Sequence, residues 1–265
     1  MNVFMKILAA AVIPVLSGII SGCIGTSEPS TYPAPPEVTA RKTEPLKIDG
    51  VLDEKEWYAA EVYSLKTARE SWKNQHPALR AVYEGKVVNP GKIRLLYDEK
   101  YLYVGIEFED DDLQAQAKKN QEMLCNKGDV VELFLKPVNA NYYWEIHLSP
   151  ANQHNVLFYL GRGHHLLPSV IQKESPLKGI VSAVSFCGTL NDSSDRDRFW
   201  SAELAIPLAE LAKKGNALKS GVPWRILFAR YDYTCHQLGK ELSAFPELRY
   251  FNFHSHEEYA FLYLK

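Results

Sequence analysis

Several side chains in this 265-residue sequence are of types that move protons, hold cations or grip a ligand. Asp129, Glu132, Glu145, His147, His254, His256 and Glu257 include pairs able to serve as general acid and base, the chemistry of a hydrolase that protonates a leaving group and activates water. No nucleophile motif or recognised metal spacing accompanies them. Asp110, Asp111 and Asp112 offer the hard oxygen ligands that calcium takes, but not the spacing of a calcium loop, and a solvated acidic turn is the plain alternative. The histidine pairs His164-His165 and His254-x-His256 read as polar loop groups or as metal ligands. Trp72 stands in the polar run Glu70–His76, where a ring either stacks on a ligand or folds onto its own domain.

Stepping residue types in twos places most of these groups on strands. Lys92–Tyr97 and Tyr101–Phe108 flank the polar turn Asp98-Glu99-Lys100, which predicts a hairpin. Val130–Leu135, Tyr142–Leu148, Asn155–Leu160, Ile180–Phe186, Phe199–Ile206 and Trp224–Tyr231 are further runs of strand length, rich in β-branched and aromatic residues. In Phe199–Ile206 the alternation puts Trp200, Ala202, Leu204 and Ile206 on one face and Ser201 and Glu203 on the other. Trp57, Trp200 and Trp224 fall in amphipathic or strand patterns and are expected in the core. Helices are few and short: Asp53–Ala60, with Asp53 as N-cap, and Leu208–Lys214, opened by Pro207. At least eight strands with turn punctuation predict an all-β, antiparallel β-sandwich.

The N-terminus reads as an address. A single Lys6 precedes the mostly apolar run Ile7–Ile20, too short to span a bilayer as a helix and suited to a signal peptide. Ile20-Ser21-Gly22-Cys23 resembles the bacterial lipobox. Residues 1–22 are therefore expected to be a lipoprotein signal, with lipid on Cys23 anchoring the protein to a membrane, the outer membrane if the cell is Gram-negative. Residues 23–40, with Pro29, Pro33, Pro35 and Pro36, are expected to be a spacer, and residues 41–265 one domain. Cys125, Cys187 and Cys235 are widely separated and resemble neither a zinc site nor a disulfide scaffold.

Composition narrows the partners. Lys and Arg number 30 against 32 Asp and Glu, a net charge of −2 that gives no field for holding a phosphate backbone, so nucleic acid is not expected as a partner. Aromatic residues at 12% suit sheet faces or flat ligand platforms alike.

Six segments together resemble carbohydrate-binding module family 9 and its DOMON-related relatives. Lys47–Trp57 is similar to the opening "I-D-G-x-x-D-x-x-W", and Leu95–Asp110 to the "D-x-x-x-L-Y-V" strand pair. Gly128–Phe134 is similar to "D-x-V-E-I-F", Tyr143–Pro150 to "Y-x-E-I-x-x-S-P", Phe199–Pro207 to "W-x-x-E-x-A-I-P" and Asn252–Ala260 to "F-H-x-P-E-x-F-G". The resemblance implies a jelly-roll or immunoglobulin-like sandwich that binds a polysaccharide or oligosaccharide without cleaving it, often with structural calcium. A sugar site needs rings to stack on the pyranose and polar groups to satisfy its hydroxyls.

Mapped onto this sequence, the resemblance places a stacking ring at Phe253, next to His254, and Asn126 where the second ring stands. Trp72 would then supply the missing ring. It makes Glu132 an acid that contacts hydroxyls, and puts Glu145 and His147 where binding members carry Arg and Asn. Solvated-face carboxylates are the plain reading of both glutamates. Related sandwiches hold haem b, so Met123 opposite His147 or His254 is an alternative, electron-transfer reading.

Overall fold

The computed structural model describes residues 33–70, 86–163, 176–236 and 240–265. The described residues form twelve strands: β1 Glu37–Lys42, β2 Val62–Ser64, β3 Gly91–Tyr97, β4 Tyr101–Glu109, β5 Val130–Pro137 and β6 Tyr143–Leu148. The rest are β7 His154–Tyr159, β8 Val181–Cys187, β9 Phe199–Pro207, β10 Trp224–Asp232, β11 Glu241–Phe245 and β12 Ala260–Leu264. Two five-residue helices, α1 Lys55–Ala59 and α2 Leu208–Ala212, complete it with a 3-10 turn at His256–Glu258. Among the described residues no helix is long and apolar enough to cross a membrane.

The strands run in the order β7-β6-β5-β10-β12-β1-β3-β4-β9-β8, with β11 added to β10 and β2 to β3. Strand β1 is the seam. Its first four residues pair with β12 and its last two with β3, in both cases parallel, so the path folds at β1 into two facing sheets. We call β7-β6-β5-β10-β12 with β11 the front sheet and β3-β4-β9-β8 with β2 the back sheet. The remaining pairings are antiparallel. The predicted sandwich is therefore present, with this one parallel strand as a departure. Val38 and Ala40 of β1 are fully buried, so residues 37–40, expected as part of a spacer, belong to the sandwich; the prolines before them hid the strand.

Side chains alternate across each strand, and one parity fills the space between the sheets: Leu133 and Leu135 of β5, Trp144 and Ile146 of β6, Val104 and Ile106 of β4, Ala202 and Leu204 of β9. Trp224 stacks on Trp144 at 5.8 Å, and Trp200 meets Phe108 edge-on at 5.1 Å. These rings are core, as the sequence pattern predicts.

The opposite parity of β9, Ser201 and Glu203, is also buried. Glu203, fully enclosed, accepts hydrogen bonds from the backbone N–H of Asp49 (2.8 Å) and Gly50 (2.9 Å) and from the Trp57 indole (2.8 Å), while Ser201 donates to the Gly50 carbonyl. Residues 48–57 thus lie over the back sheet like a strap. Gly50 makes this approach feasible: its φ is +90°, and a Cβ there would sit 2.7 Å from the Val184 backbone. Helix α1 begins after Glu54, not Asp53, and neither residue caps it through a side chain.

Candidate functional site

The outer face of the front sheet is where the candidate residues meet. Glu132 on β5 lies directly across from His147 on β6, and His147 across from Asn155 on β7, so the three form one row. Glu145 precedes His147 by two and shares the face. A layer of rings covers the same face: Phe134, Tyr143, Tyr159, Phe253 and Tyr259, with Met123, Tyr231 and Phe251 packed against it. Burial of the sheet edge requires this layer, because the segment 245–259 returns across the strands.

Under the rings the polar groups are short of donors. His147 Nε2 lies 2.6 Å from Glu145 Oε1 and 3.3 Å from Glu132 Oε1. His147 is fully enclosed, Glu132 is 2% exposed and Glu145 6%. Burial pushes the Glu132 carboxyl up to about 8, and the neighbouring Glu145 charge adds to this while His147 opposes it. For Glu145 burial works upward too, but the hydrogen bond and charge of His147 outweigh it and hold the group below the usual carboxylate range. Burial disfavours the His147 imidazolium, yet the two carboxylates raise it overall. The Tyr159 hydroxyl also favours the Glu145 anion, through a side-chain hydrogen bond. Glu145 Oε2, His147 Nδ1 and Asn155 Oδ1 are all buried with no hydrogen-bond partner among the described residues.

The sequence expectations sort accordingly. Glu132, Glu145, His147, Phe253 and His254 do come together on one face. They are not solvated there: both glutamates are buried, which the His147 contact permits by compensating charge. Phe253 is 7% exposed, edge-on to Tyr231 at 5.7 Å and to Phe251 at 6.2 Å, so it packs under the rim instead of presenting a platform. His254 is half-buried at the rim, its Nδ1 2.7 Å from the Tyr143 hydroxyl. Asn126 is exposed, next to Cys125, whose thiol burial and the Glu132 charge push up to about 11. Trp72, Cys23, His164 and His165 lie outside the described residues. Tyr143, Tyr159 and Tyr231 belong to the site and were read only as strand residues; their parity with Glu145 and Glu132 was the available signal.

Calcium, which the family resemblance implies, does not fit Asp110, Asp111 and Asp112. Their carboxylates diverge into three networks. Asp110 takes the Arg230 guanidinium at 2.9 Å, Asp111 takes Arg196 at 2.8 Å, and Asp112 accepts from Gln114, Ser193 and the Cys235 N–H. Asp110 converges instead with Asp129 and Asp232 around buried Arg230. Burial pushes Asp110 up to about 7, Arg230 opposing and Asp232 adding to it. Haem fits no better: His147 Nε2 is held between two carboxylates, and Met123 packs into the ring layer.

A second concavity, of about 430 Å³, lies on the back sheet between Tyr58, Phe199, Lys92, Glu107 and Glu109. Tyr58 is 74% exposed.

With this geometry in place, comparison with known proteins gives a consistent class. Residues 48–146, a little over a third of the chain, match the family model of carbohydrate family 9 binding domain-like proteins. The described fold is similar to a candidate carbohydrate-binding protein from Bacteroides uniformis, with TM-score 0.58 and 12% identity, covering 87% of this chain and 99% of that one. It is also similar to a family 9 carbohydrate-binding module from Caldicellulosiruptor kristjanssonii, solved with cellotriose and with glucose. Each of those comparisons gives TM-score 0.52 and 14% identity over 86% of this chain, and 93% or 95% of the other. No curated protein sequence matches. The chain is thus family 9-like in sequence over residues 48–146 and has the family 9 β-sandwich fold.

Proposed function

We propose that this protein binds an extracellular glycan, without cleaving it, at the rim of the front sheet, and that lipid on Cys23 tethers it to the outer membrane. The observation that carries the reading is the convergence of Glu132, Glu145, His147, Phe253 and His254 on one ring-covered face of a sandwich whose relatives are seen with glucose and cellotriose. His254, Tyr231 and Phe251 are among the groups of this face that reach solvent and are the ones to meet a sugar; the family resemblance, not the described fold, adds Trp72 to them. The acids beneath hold the sheet's polar row and the ring layer in place. No proton transfer is assigned: the buried carboxylates lie under rings and not in an open cleft flanking a scissile bond.

A glycan array on the full chain tests this, with affinities then measured by calorimetry. Binding that falls on His254→Ala and Trp72→Ala, with Tyr58→Ala unchanged, supports the front rim. Loss on Tyr58→Ala alone moves the site to the back-sheet concavity, where that exposed ring stands beside Lys92 and Glu107. Retention of no saccharide by the wild-type chain overturns glycan binding, and release of reducing ends from a bound polysaccharide overturns the non-catalytic reading. Palmitate labelling lost in Cys23→Ser checks the tether.

A further inference from the structure

The row Glu132–His147–Asn155 with Glu145 is a buried set with fewer donors than acceptors: His147 Nε2 and the Tyr159 hydroxyl both serve Glu145. Two carboxylates, an imidazole and an amide share one face, and three of their polar atoms have no partner among the described residues. An unmet buried acceptor carries the full desolvation penalty of its group, so such a set persists where something positive completes it. Arginine and lysine do this elsewhere in the fold, yet no cationic side chain hydrogen-bonds to this cluster among the described residues. One oxygen of Glu132, one of Glu145 and one nitrogen of His147 already lie within 4.8 Å of one another.

We propose that Glu132, Glu145 and His147 bind a first-row divalent cation such as zinc or manganese, with Asn155 Oδ1 completing the shell. Charge supports the assignment: a dication against two carboxylates and a neutral imidazole leaves a centre of zero net charge. Donor type selects the ion, since imidazole with carboxylate and amide oxygens suits zinc or manganese better than calcium. Distance agrees as well. Ligands at about 2.0–2.1 Å in a tetrahedral shell stand about 3.3 Å apart, and Glu132 Oε1 to His147 Nε2 is 3.3 Å. The 2.6 Å contact to Glu145 would open by several tenths of an ångström on binding. Deprotonation of Glu132 and His147 accompanies loading, as for any site of this donor set. The proposal stands apart from glycan binding, and its tests use no glycan.

The full chain is stripped with chelator, reloaded with zinc or manganese, desalted, and its metal content measured. Stoichiometric metal is expected, with a rise in Tm that chelator reverses. Glu132→Gln and His147→Gln should each lower retained metal at least tenfold, while Cys235→Ser leaves it unchanged; that last variant disrupts a competing cluster, buried Asp112 with half-buried His236 and exposed Cys235. Because a buried substitution can unfold the chain, cobalt loading of the unaltered protein gives a second readout. Visible bands without sulfur-to-cobalt charge transfer support the site. A thiolate band, metal lost in Cys235→Ser, or a wild-type chain holding no metal above buffer overturns it.

Discussion

Two buried acidic clusters, one around Arg230 between the sheets and one on the outer face of the front sheet, differ in a way that separates scaffold from site. Around Arg230, the acids Asp110, Asp129 and Asp232 are met by a guanidinium, backbone N–H groups and an amide; Asp232 Oδ1 and Arg230 Nε have no hydrogen-bond partner among the described residues, and Oδ1 is left to a 3.6 Å ion pair with the guanidinium. The guanidinium donates to Asp110 at 2.9 Å and to the Asn89 carbonyl at 2.8 Å. Asp129 accepts from the backbone of Tyr233 and Gln114, both at 2.6 Å, and Asp232 accepts from the Asn89 amide. Around His147, by contrast, no guanidinium or ammonium bonds the acids among the described residues, and two carboxylates share one imidazole. Buried charge with internal partners reads as structure; buried charge without them reads as a place prepared for a ligand.

Breaking the first cluster should have the largest effect. Arg230→Met strands three buried acids and is expected to cost ~3–5 kcal/mol, read as a lower urea midpoint. Glu203 offers a third case, an acid satisfied by three donors that fasten the 48–57 strap. Glu203→Ala should cost about 2–4 kcal/mol in the same assay, since it orphans two backbone N–H groups and an indole. At the rim, His254→Ala should weaken glycan affinity by about 1–2 kcal/mol in calorimetry while leaving the urea midpoint unchanged.

The pH dependence sharpens the contrast next. Asp110 has its folded value raised by burial to about 7, above its unfolded value near 3.8, so the folded state holds the proton more tightly. Its contribution is full below the unfolded value and is lost as pH rises through 7. Tm should therefore fall between about pH 4 and 7, and Asp110→Asn should flatten that slope. The smallest effect is expected in the donor-poor cluster. Glu132→Gln replaces an unfavourably buried acid with an amide that can donate, so metal-free stability should change by no more than about 1 kcal/mol, in the stabilising direction. A loss as large as that of Arg230→Met would erase the distinction between the clusters.

Much of this was legible in the chain. The eight strands read from period-two runs are present within a residue or two, because alternation reports directly on which side of a sheet is buried. Strands β1, β2, β11 and β12 were not read: two are short, and β1 follows prolines, so propensity was silent and pairing with distant strands decided them. Alternation separates Glu203 and Ser201 from the core face, but it cannot reveal that residues 48–57 cross the face they occupy and bury them. The Asp110-Asp111-Asp112 run has the oxygen chemistry of a cation site but not its spacing, with a solvated turn as the plain reading; the chain bends there, Asp110 and Asp112 are buried, and the three carboxylates meet different partners.

By itself the sequence determined the class of fold, the tryptophan core and the set of residues that share the front-sheet face, since these follow from local period and strand parity. Only the tertiary structure decided that the glutamates are buried instead of solvated, that Phe253 packs inward, and which acids are neutralised by Arg230. Those outcomes depend on segments far apart in the chain closing over a face, and whether a charged group keeps its water is settled by what covers it.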